Sequence, residues 1–347
     1  MVMILLLQEI LVDSLLTLSH TKDVWQFNPT PNFDLFGDAF YLEFNNDIPN
    51  IKKFNNNYGD VGVKFCNNTE ITITKNLKKP LCFIYKNNNL NIKLNIKNNL
   101  IIDLIEYFIK NEDYFTATIK IDINIENNSL LNNYRINESL KNNNYIYNNI
   151  SNMGENSHKN TFDINLASSI INADLSDNLN HTNANTCYYA IDLLGQECQS
   201  IRVLNIFHNA PSTHSNQIFR GVYTKKSLGN FLGKIIIDKS AQKSSALQHY
   251  KAIITNKNAK ALVKPQMQIN NNDITAKHGA SIGELNQDAL FYLQSRGINY
   301  NQAKQILIYS LLQDSLTHIP NKNILILCQD LINTSLNNLI IGDINNV

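Results

Sequence analysis

The sequence predicts a mainly β protein, a large all-β domain set between helical ends. Three observations carry this. Short β-rich runs recur from about Pro80 to Ser281, with Asn, Gly, Asp or Ser between them. One stretch, Ala117 to Ile125, alternates apolar and polar residues without a break, so its apolar side chains share one buried face. Helical periodicity is found at the two ends.

Taken in order, Ile4 to Leu18 places Leu7, Ile10, Leu11, Leu15 and Leu18 at helical intervals, an amphipathic helix that must dock its apolar stripe. Pro29 and Pro31 break the pattern, and Trp25, Phe27, Phe33 and Phe36 around them read as a hydrophobic plug at a domain end. The β-rich runs follow: Cys82 to Tyr85, Leu90 to Ile96, Phe115 to Ile125, Thr186 to Ile191 and Ile201 to Phe207. Between them, Asn127 to Lys159 is Asn-rich and weakly patterned, which predicts an irregular excursion or a mobile insertion. A sandwich, a barrel and a β-helix all fit these runs, because no crisp repeat motif separates them. After Ser281, Asn286 is an N-cap candidate, Ala289, Leu290 and Leu293 form one stripe, and Gly297 is a stop. A second helix starts after Asn299, whose side chain caps it with Gln302 three residues on. Ile306, Leu307, Tyr309, Ser310, Leu311 and Leu312 make its apolar surface broad, which fits burial in the chain's own core or a docking face. Pro320 separates it from a last amphipathic stretch, Ile324 to Leu339.

Composition excludes several function classes. The 347 residues carry 30 basic and 29 acidic side chains, a formal charge of +1, so there is no field to draw nucleic acid or anionic lipid. Only 17% of residues are charged, and Asn supplies much of the remaining polarity. Runs such as Asn55 to Asn57 and Asn142 to Asn144 read as compositional drift rather than functional ladders. The five cysteines, Cys66, Cys82, Cys187, Cys198 and Cys328, form no C-x-x-C pair and are odd in number, which fits a reducing compartment. The apolar Ile4 to Leu7 is followed at once by Glu9 and Asp13, unlike a signal peptide, and no stretch reaches membrane-spanning length. A soluble, cytoplasmic protein without membrane or nucleic-acid partners is expected.

No Walker loop, dinucleotide glycine fingerprint, H-E-x-x-H or G-x-S-x-G elbow is present. Asp238, Asp273 and Glu284 default to solvated positions. His208 and His214, within a loop-like stretch, read as turn-satisfying imidazoles. His278 shares a strand face with Ala276 and Ile274 if alternation holds, so it is expected on a covered face, as a neutral imidazole suited to a soft or borderline metal.

The stretch from about Ile201 to Leu312 resembles the SufB/SufD family of iron–sulfur assembly scaffolds. Ser215-Asn216-Gln217-Ile218-Phe219-Arg220-Gly221 resembles its S-N-Q-x-x-[KR]-G segment, and Lys226 to Ile235 resembles K-S-x-G-x-F-x-G-K-I. Lys264-Pro265-Gln266-Met267-Gln268-Ile269 resembles K-P-Q-L-E-I. His278-Gly279-Ala280-Ser281-Ile282-Gly283, with Phe291 to Ile298, is similar to H-G-A-T-V-G…F-Y-L-x-S-R-G-I, the form of the SufD side of the family. Trp25 with the prolines after it is a weaker echo.

The resemblance implies a right-handed parallel β-helix core at 79–283, between an N-terminal helical or mixed region at 1–78 and a C-terminal helical region at 284–347. It implies a non-catalytic scaffold subunit that pairs with a SufB-like subunit through their β-helices and offers its C-terminal helices to a SufC-like ATPase, which hydrolyses ATP. Phe291, Tyr292, Arg296, Ile306, Leu307 and Leu311 become the partner-binding candidates. His278 becomes the candidate cluster ligand, and the metal candidate, near the SufB interface. Two departures matter. Ala276 stands where family members often carry Cys, and Gln268 stands for the usual Glu. This chain therefore offers one imidazole at most, holds no cluster stably alone, and relies on the SufB-like subunit for sulfur ligands to a nascent cluster at the seam. A purely structural partner that never touches the cluster, and a β-helix enzyme acting on polysaccharide, are the competing readings.

Overall fold

The computed structural model describes residues 40–344 apart from 46–47, 51–62, 67–69, 78–79, 86–88, 109–113, 139–142 and 167–168. The expected helix at Ile4 to Leu18, the plug around Trp25 and the run Asn55 to Asn57 lie outside the described residues.

Strands follow one another along the chain: β1 (Phe40–Asn45), β2 (Ile48–Asn50), β3 (Val63–Cys66), β4 (Glu70–Ile73), β5 (Leu81–Tyr85), β6 (Leu90–Ile96), β7 (Ile101–Phe108), β8 (Phe115–Ile125), β9 (Leu130–Asn137), β10 (Asn143–Met153), β11 (His158–Asn165), β12 (Ile170–Leu179), β13 (Asn185–Leu194), β14 (Gln199–His208), β15 (His214–Tyr223), β16 (Leu228–Ile237), β17 (Ser244–Ile254), β18 (Lys260–Ile269) and β19 (Ile274–Gly283). Helices α1 (Gln287–Ser295), α2 (Tyr300–Leu316) and α3 (Lys322–Ile344) close the chain.

From β5 onward successive strands alternate between two sheets, odd strands in one and even strands in the other, and each pairs in parallel with the strand two places along. This is a parallel β-helix with two strands per turn. Lateral partners lie a near-constant distance apart: Asn144 pairs Ile170, 26 residues on, and Leu228 pairs Lys260, 32 on. At the amino-terminal end the sheets start with short antiparallel pairs, β1 with β2 and β3 with β4.

Stacking is set by the turns. Asn99, Asn128, Asn156, Asn183, Ser212 and Lys243 all have positive φ and sit at the same point of successive turns. Each N–H donates to the turn above, Asn99 to Asn127 O, Asn128 to Glu155 O and Asn156 to Thr182 O among them. Asn tolerates the left-handed region better than other non-glycine residues, which accounts for its use at four of the six.

The asparagines also form amide ladders. Asn124 donates to Asn95 at 2.9 Å, Asn152 to Asn124 at 3.1 Å and Asn178 to Asn152 at 3.1 Å, one rung per turn. Parallel strands about 4.8 Å apart bring identical side chains into this register. Single asparagines at the repeat interval thus build ladders, while of the runs read as drift Asn55 to Asn57 and Asn142 lie outside the described residues. The expectation for 127–159 is corrected: that stretch supplies β9, β10 and the start of β11. Its apolar pattern is weak because inward positions hold Asn133, Arg135, Asn149, Ser151 and Lys159, all buried.

The core runs along the lumen, from Ile92, Leu94 and Ile119 near the start to Phe231 and Tyr250 near the end. The outer face of the odd-strand sheet is covered by the chain's own helices. Arg220 on β15 is ion-paired with Asp314 on α2, and His318 stacks on Tyr189, with ring centroids 4.2 Å apart, extending the stack Tyr134–Phe162–Tyr189. Gly195 has no Cβ where one would meet Leu339 Cδ2 at 2.1 Å, so α3 can lie close to the sheet.

Candidate functional site at the open end of the β-helix

The last turn is unfinished. β18 and β19 are the edge strands of their sheets, each paired on one side only. Register with the buried positions of β16 and β17 identifies the side chains that point into the lumen. They are Ala261, Val263, Pro265, Met267 and Ile269 on β18, and Ile274, Ala276, His278, Ala280 and Ile282 on β19. In an interior turn these positions are fully enclosed. Here none is buried, and Ile269 and Ile282 are 46% and 40% exposed. Nine of the ten are apolar, and His278 is the exception. Pro265, which cannot donate to a ladder, is tolerated because β18 is an edge.

Alternation therefore places His278 on the same face as Ala276 and Ile274, as expected, but that face is not covered in the isolated chain. His278 is exposed. The correction has a simple cause: a strand face in a β-helix is covered by the turn above it, and β19 has none. Ala276 and Ile274 are half-buried by contact with Ala246 and the other residues below.

The donor set at this mouth is small. Among the described residues no three His, Cys, Asp or Glu side chains are grouped to hold a metal ion. Cys82, Cys198 and Cys328 are buried and Cys187 is half-buried. Burial pushes the Cys82, Cys187 and Cys328 thiols up, away from thiolate character. The open end thus presents one imidazole in an apolar ring.

Behind the mouth the lumen is polar. Gln248 pairs with His278 in register and is buried; its Nε2 donates to Gln217 Oε1 at 2.9 Å one turn below. Gly233 faces this pair across the lumen, where a Cβ would fall 1.7 Å from Gln248 Nε2. Deeper still, Asp163 binds Arg135 at 3.1 Å, Arg202 at 3.2 Å and the Tyr188 hydroxyl at 2.6 Å, while Arg202 also pairs with Asp192. Lys159 binds Asp177 at 2.6 Å. These ions carry no signal in the sequence, since buried and solvated carboxylates look alike there. His208 is enclosed, bonded to Thr213 Oγ1 at 2.8 Å and Ser215 Oγ at 2.9 Å, and His214 contacts Ser245 at 2.7 Å, the turn-satisfying roles expected of both.

The helical candidates divide. Asn286 caps α1 through Ala289 N and Asn299 caps α2 through Gln302 N, and Gly297 has φ +84° between them. On α1, Phe291 is 74% exposed, and Tyr292 is exposed with the Arg296 guanidinium over its ring. Ile306 on α2 is exposed, whereas Leu307 and Leu311 are half-buried. The broad apolar surface of α2 is spent mainly inside the chain, where Ala303, Ile308, Leu312 and Leu316 are buried.

Residues 87–311, well over half of the chain, match the family described as SUF system FeS cluster assembly, SufBD core domain. The chain belongs to the SufB/SufD family. SufD of Escherichia coli (strain K12) is 32% identical over 103 residues, 30% of this chain and 24% of that one. SufD of Bacillus subtilis (strain 168) is 33% identical over 94 residues, 27% of this chain and 21% of that one. A SufBD family iron–sulfur cluster assembly protein of Synechocystis is 28% identical over 167 residues, 48% of this chain and 37% of that one. In each case the match spans well under half of the relative's length. The SufBD core thus takes in most of the solenoid, its open end, α1 and the first part of α2, up to Leu311. Among the described residues no helix is long and apolar enough to cross a membrane.

Proposed function

We propose that this chain is the SufD-type subunit of a SUF iron–sulfur assembly scaffold, and that its unfinished last turn is the surface that joins a SufB-like subunit. The observation that carries this is the ring of nine apolar lumen residues and one imidazole left uncovered on two edge strands. Unpaired backbone groups beside exposed apolar side chains are a template for another chain's strands. Joining there encloses His278 and places it against the partner. Clusters are held chiefly by thiolates, so sulfur ligands come from the SufB-like subunit and the imidazole of His278 is this chain's contribution to a nascent cluster, the cargo of the complex. The exposed Phe291, Tyr292, Arg296 and Ile306 on α1 and α2 form the docking face for a SufC-like ATPase, with Leu307 and Leu311 packed behind it. ATP hydrolysis belongs to that partner, and the scaffold acts in the cytoplasm.

The test is anaerobic co-expression with SufB-like and SufC-like partners, followed by iron and sulfide analysis. Ile282→Lys is expected to weaken the SufB-like contact about tenfold or more while leaving ATPase binding intact, because a charge is then buried in the seam. Phe291→Asp is expected to do the reverse, by a similar factor. His278→Ala is expected to leave assembly intact and remove most of the bound iron and sulfide. A purely structural subunit is the second reading, favoured by Ala276 at the usual Cys position, and undiminished loading of the His278→Ala complex selects it.

A further inference from the structure

We infer that the open end of the solenoid carries a basic collar that selects an acidic-rimmed partner and holds two copies of this chain apart. The inference rests on the reading of the unfinished turn as a joining surface, and it names the chemistry of the surface that joins. Residues 225–283 hold ten lysines against two acids, Asp238 and Asp273, an excess of eight positive charges. The rest of the chain has 20 basic and 27 acidic side chains, so the near-balanced total conceals a local excess. Glu284 and Asp288 follow only where the chain leaves β19 for α1. All ten lysines lie on β16 to β19 or on the turns that lead into them, and each of these strands is an edge strand or pairs directly with one. With strands about 4.8 Å apart, that is within about one rung of the mouth. The lysines surround it. Lys234 and Lys264 are on the outer face of the even-strand sheet, Lys251 and Lys277 on that of the odd-strand sheet, and Lys243 and Lys257 at the turns between. Among the described residues Lys226 alone of the ten forms an ion pair, with Glu197 at 3.4 Å, and Asp238 is engaged by Ser240.

An apolar centre inside a charged rim is the anatomy of a specific protein interface, and neither a phosphate backbone nor a lipid headgroup brings apolar strands to fill the centre. Rim charges act over about 8 Å at physiological salt, so the collar acts as one body on whatever approaches the mouth. Opposite charge on the approaching surface speeds docking, and like charge opposes it. A second copy of this chain brings the same open edges and the same collar. A SufB-like subunit with an acidic rim brings the edges without the repulsion.

The experiment measures association of the full chain with the SufB-like subunit by stopped flow at about 50 and about 500 mM salt, between which the screening length falls about threefold. The wild-type association rate is expected to drop about tenfold or more over that range, with dissociation little changed. The combined variant Lys251→Gln, Lys257→Gln, Lys264→Gln and Lys277→Gln, all exposed positions, is expected to lose a similar factor at the lower salt and to flatten the salt dependence. In sedimentation equilibrium at the lower salt this variant is expected to self-associate about tenfold more tightly than wild type, and wild type to tighten as salt rises. An association rate indifferent to salt and to the four substitutions overturns the inference, as does self-association indifferent to both. Binding of wild type but not the variant to phosphatidylglycerol vesicles, with an unaltered rate towards the SufB-like subunit, assigns the collar to a lipid surface and overturns it as well. An Ile282→Lys chain that still binds the SufB-like subunit undiminished overturns the joining surface, a result independent of the charge measurements.

Discussion

Replacing Asp163 with Ala is expected to destabilise the folded chain by about 3–5 kcal/mol, the usual cost of breaking a buried ion pair by removing one partner. The carboxylate is enclosed in the lumen and satisfies two guanidiniums at once, Arg135 and Arg202, as well as the Tyr188 hydroxyl. Without it Arg202 keeps Asp192, but Arg135 loses its ion-pair partner and is left with the Tyr147 and Tyr188 rings and the charge of Glu106. Burial pushes the Asp163 carboxyl up, yet Arg135, Arg202 and Tyr188 together outweigh it and hold it down at about 2. Its stabilising contribution is therefore full above the ordinary aspartate range and is lost only as pH falls towards 2. Urea denaturation at pH 7 reads the effect directly, with the exposed Asp238→Ala as control. A shift for Asp163→Ala no larger than that control would falsify the assignment of this network as a cohesive element.

The second large effect is acid sensitivity centred on His208. Burial, with a smaller push from the His214 imidazole, lowers His208 to about 4. The sign follows from proton counting. Between about 4 and the ordinary histidine value of 6.5 the unfolded chain binds a proton that the folded chain refuses. Stability due to this group is thus complete above pH 6.5 and falls as pH drops towards 4, by about 3 kcal/mol in all. His208→Gln, which keeps an amide between Thr213 and Ser215, is expected to have a flatter profile of urea midpoint against pH across that window. Parallel profiles for the two proteins would show that His208 does not drive the acid loss.

Much of this architecture is legible in the residues, and the parts that are not have identifiable causes. Helix boundaries are readable because caps are local chemistry, and Asn286, Gly297 and Asn299 sit where they were expected. The alternation from Ala117 to Ile125 gives the right buried face because every inward residue there is apolar. The same geometry is invisible from Asn132 to Lys159, where many inward positions are filled by Asn, Arg, Ser and Lys, and Lys159 bonds Asn149 and Ser151 across the lumen of its own turn. The repeat is hidden for a related reason. It resides in left-handed turn positions filled by Asn, Ser or Lys and in lone ladder asparagines, while the strands between them vary freely. The family motifs are the legible part of the lumen: Ser215 reaches His208, Gln217 holds Gln248, and Gly221 and Gly229 make way for Tyr223. Alternation gives His278 the right face and the wrong surroundings, because it reports direction and says nothing about whether another turn follows.

The two ends of the stack differ, and that difference limits what the protein can build. At one end β2 and β3 are strands of three and four residues folded back antiparallel, a poor template for the long parallel edges of β18 and β19. Head-to-tail addition, which would propagate into a filament, has no receptive terminus among the described residues. If the proposed joining runs through β18 and β19, tail-to-tail union consumes the open edge of both participants, and growth through that edge stops at a pair.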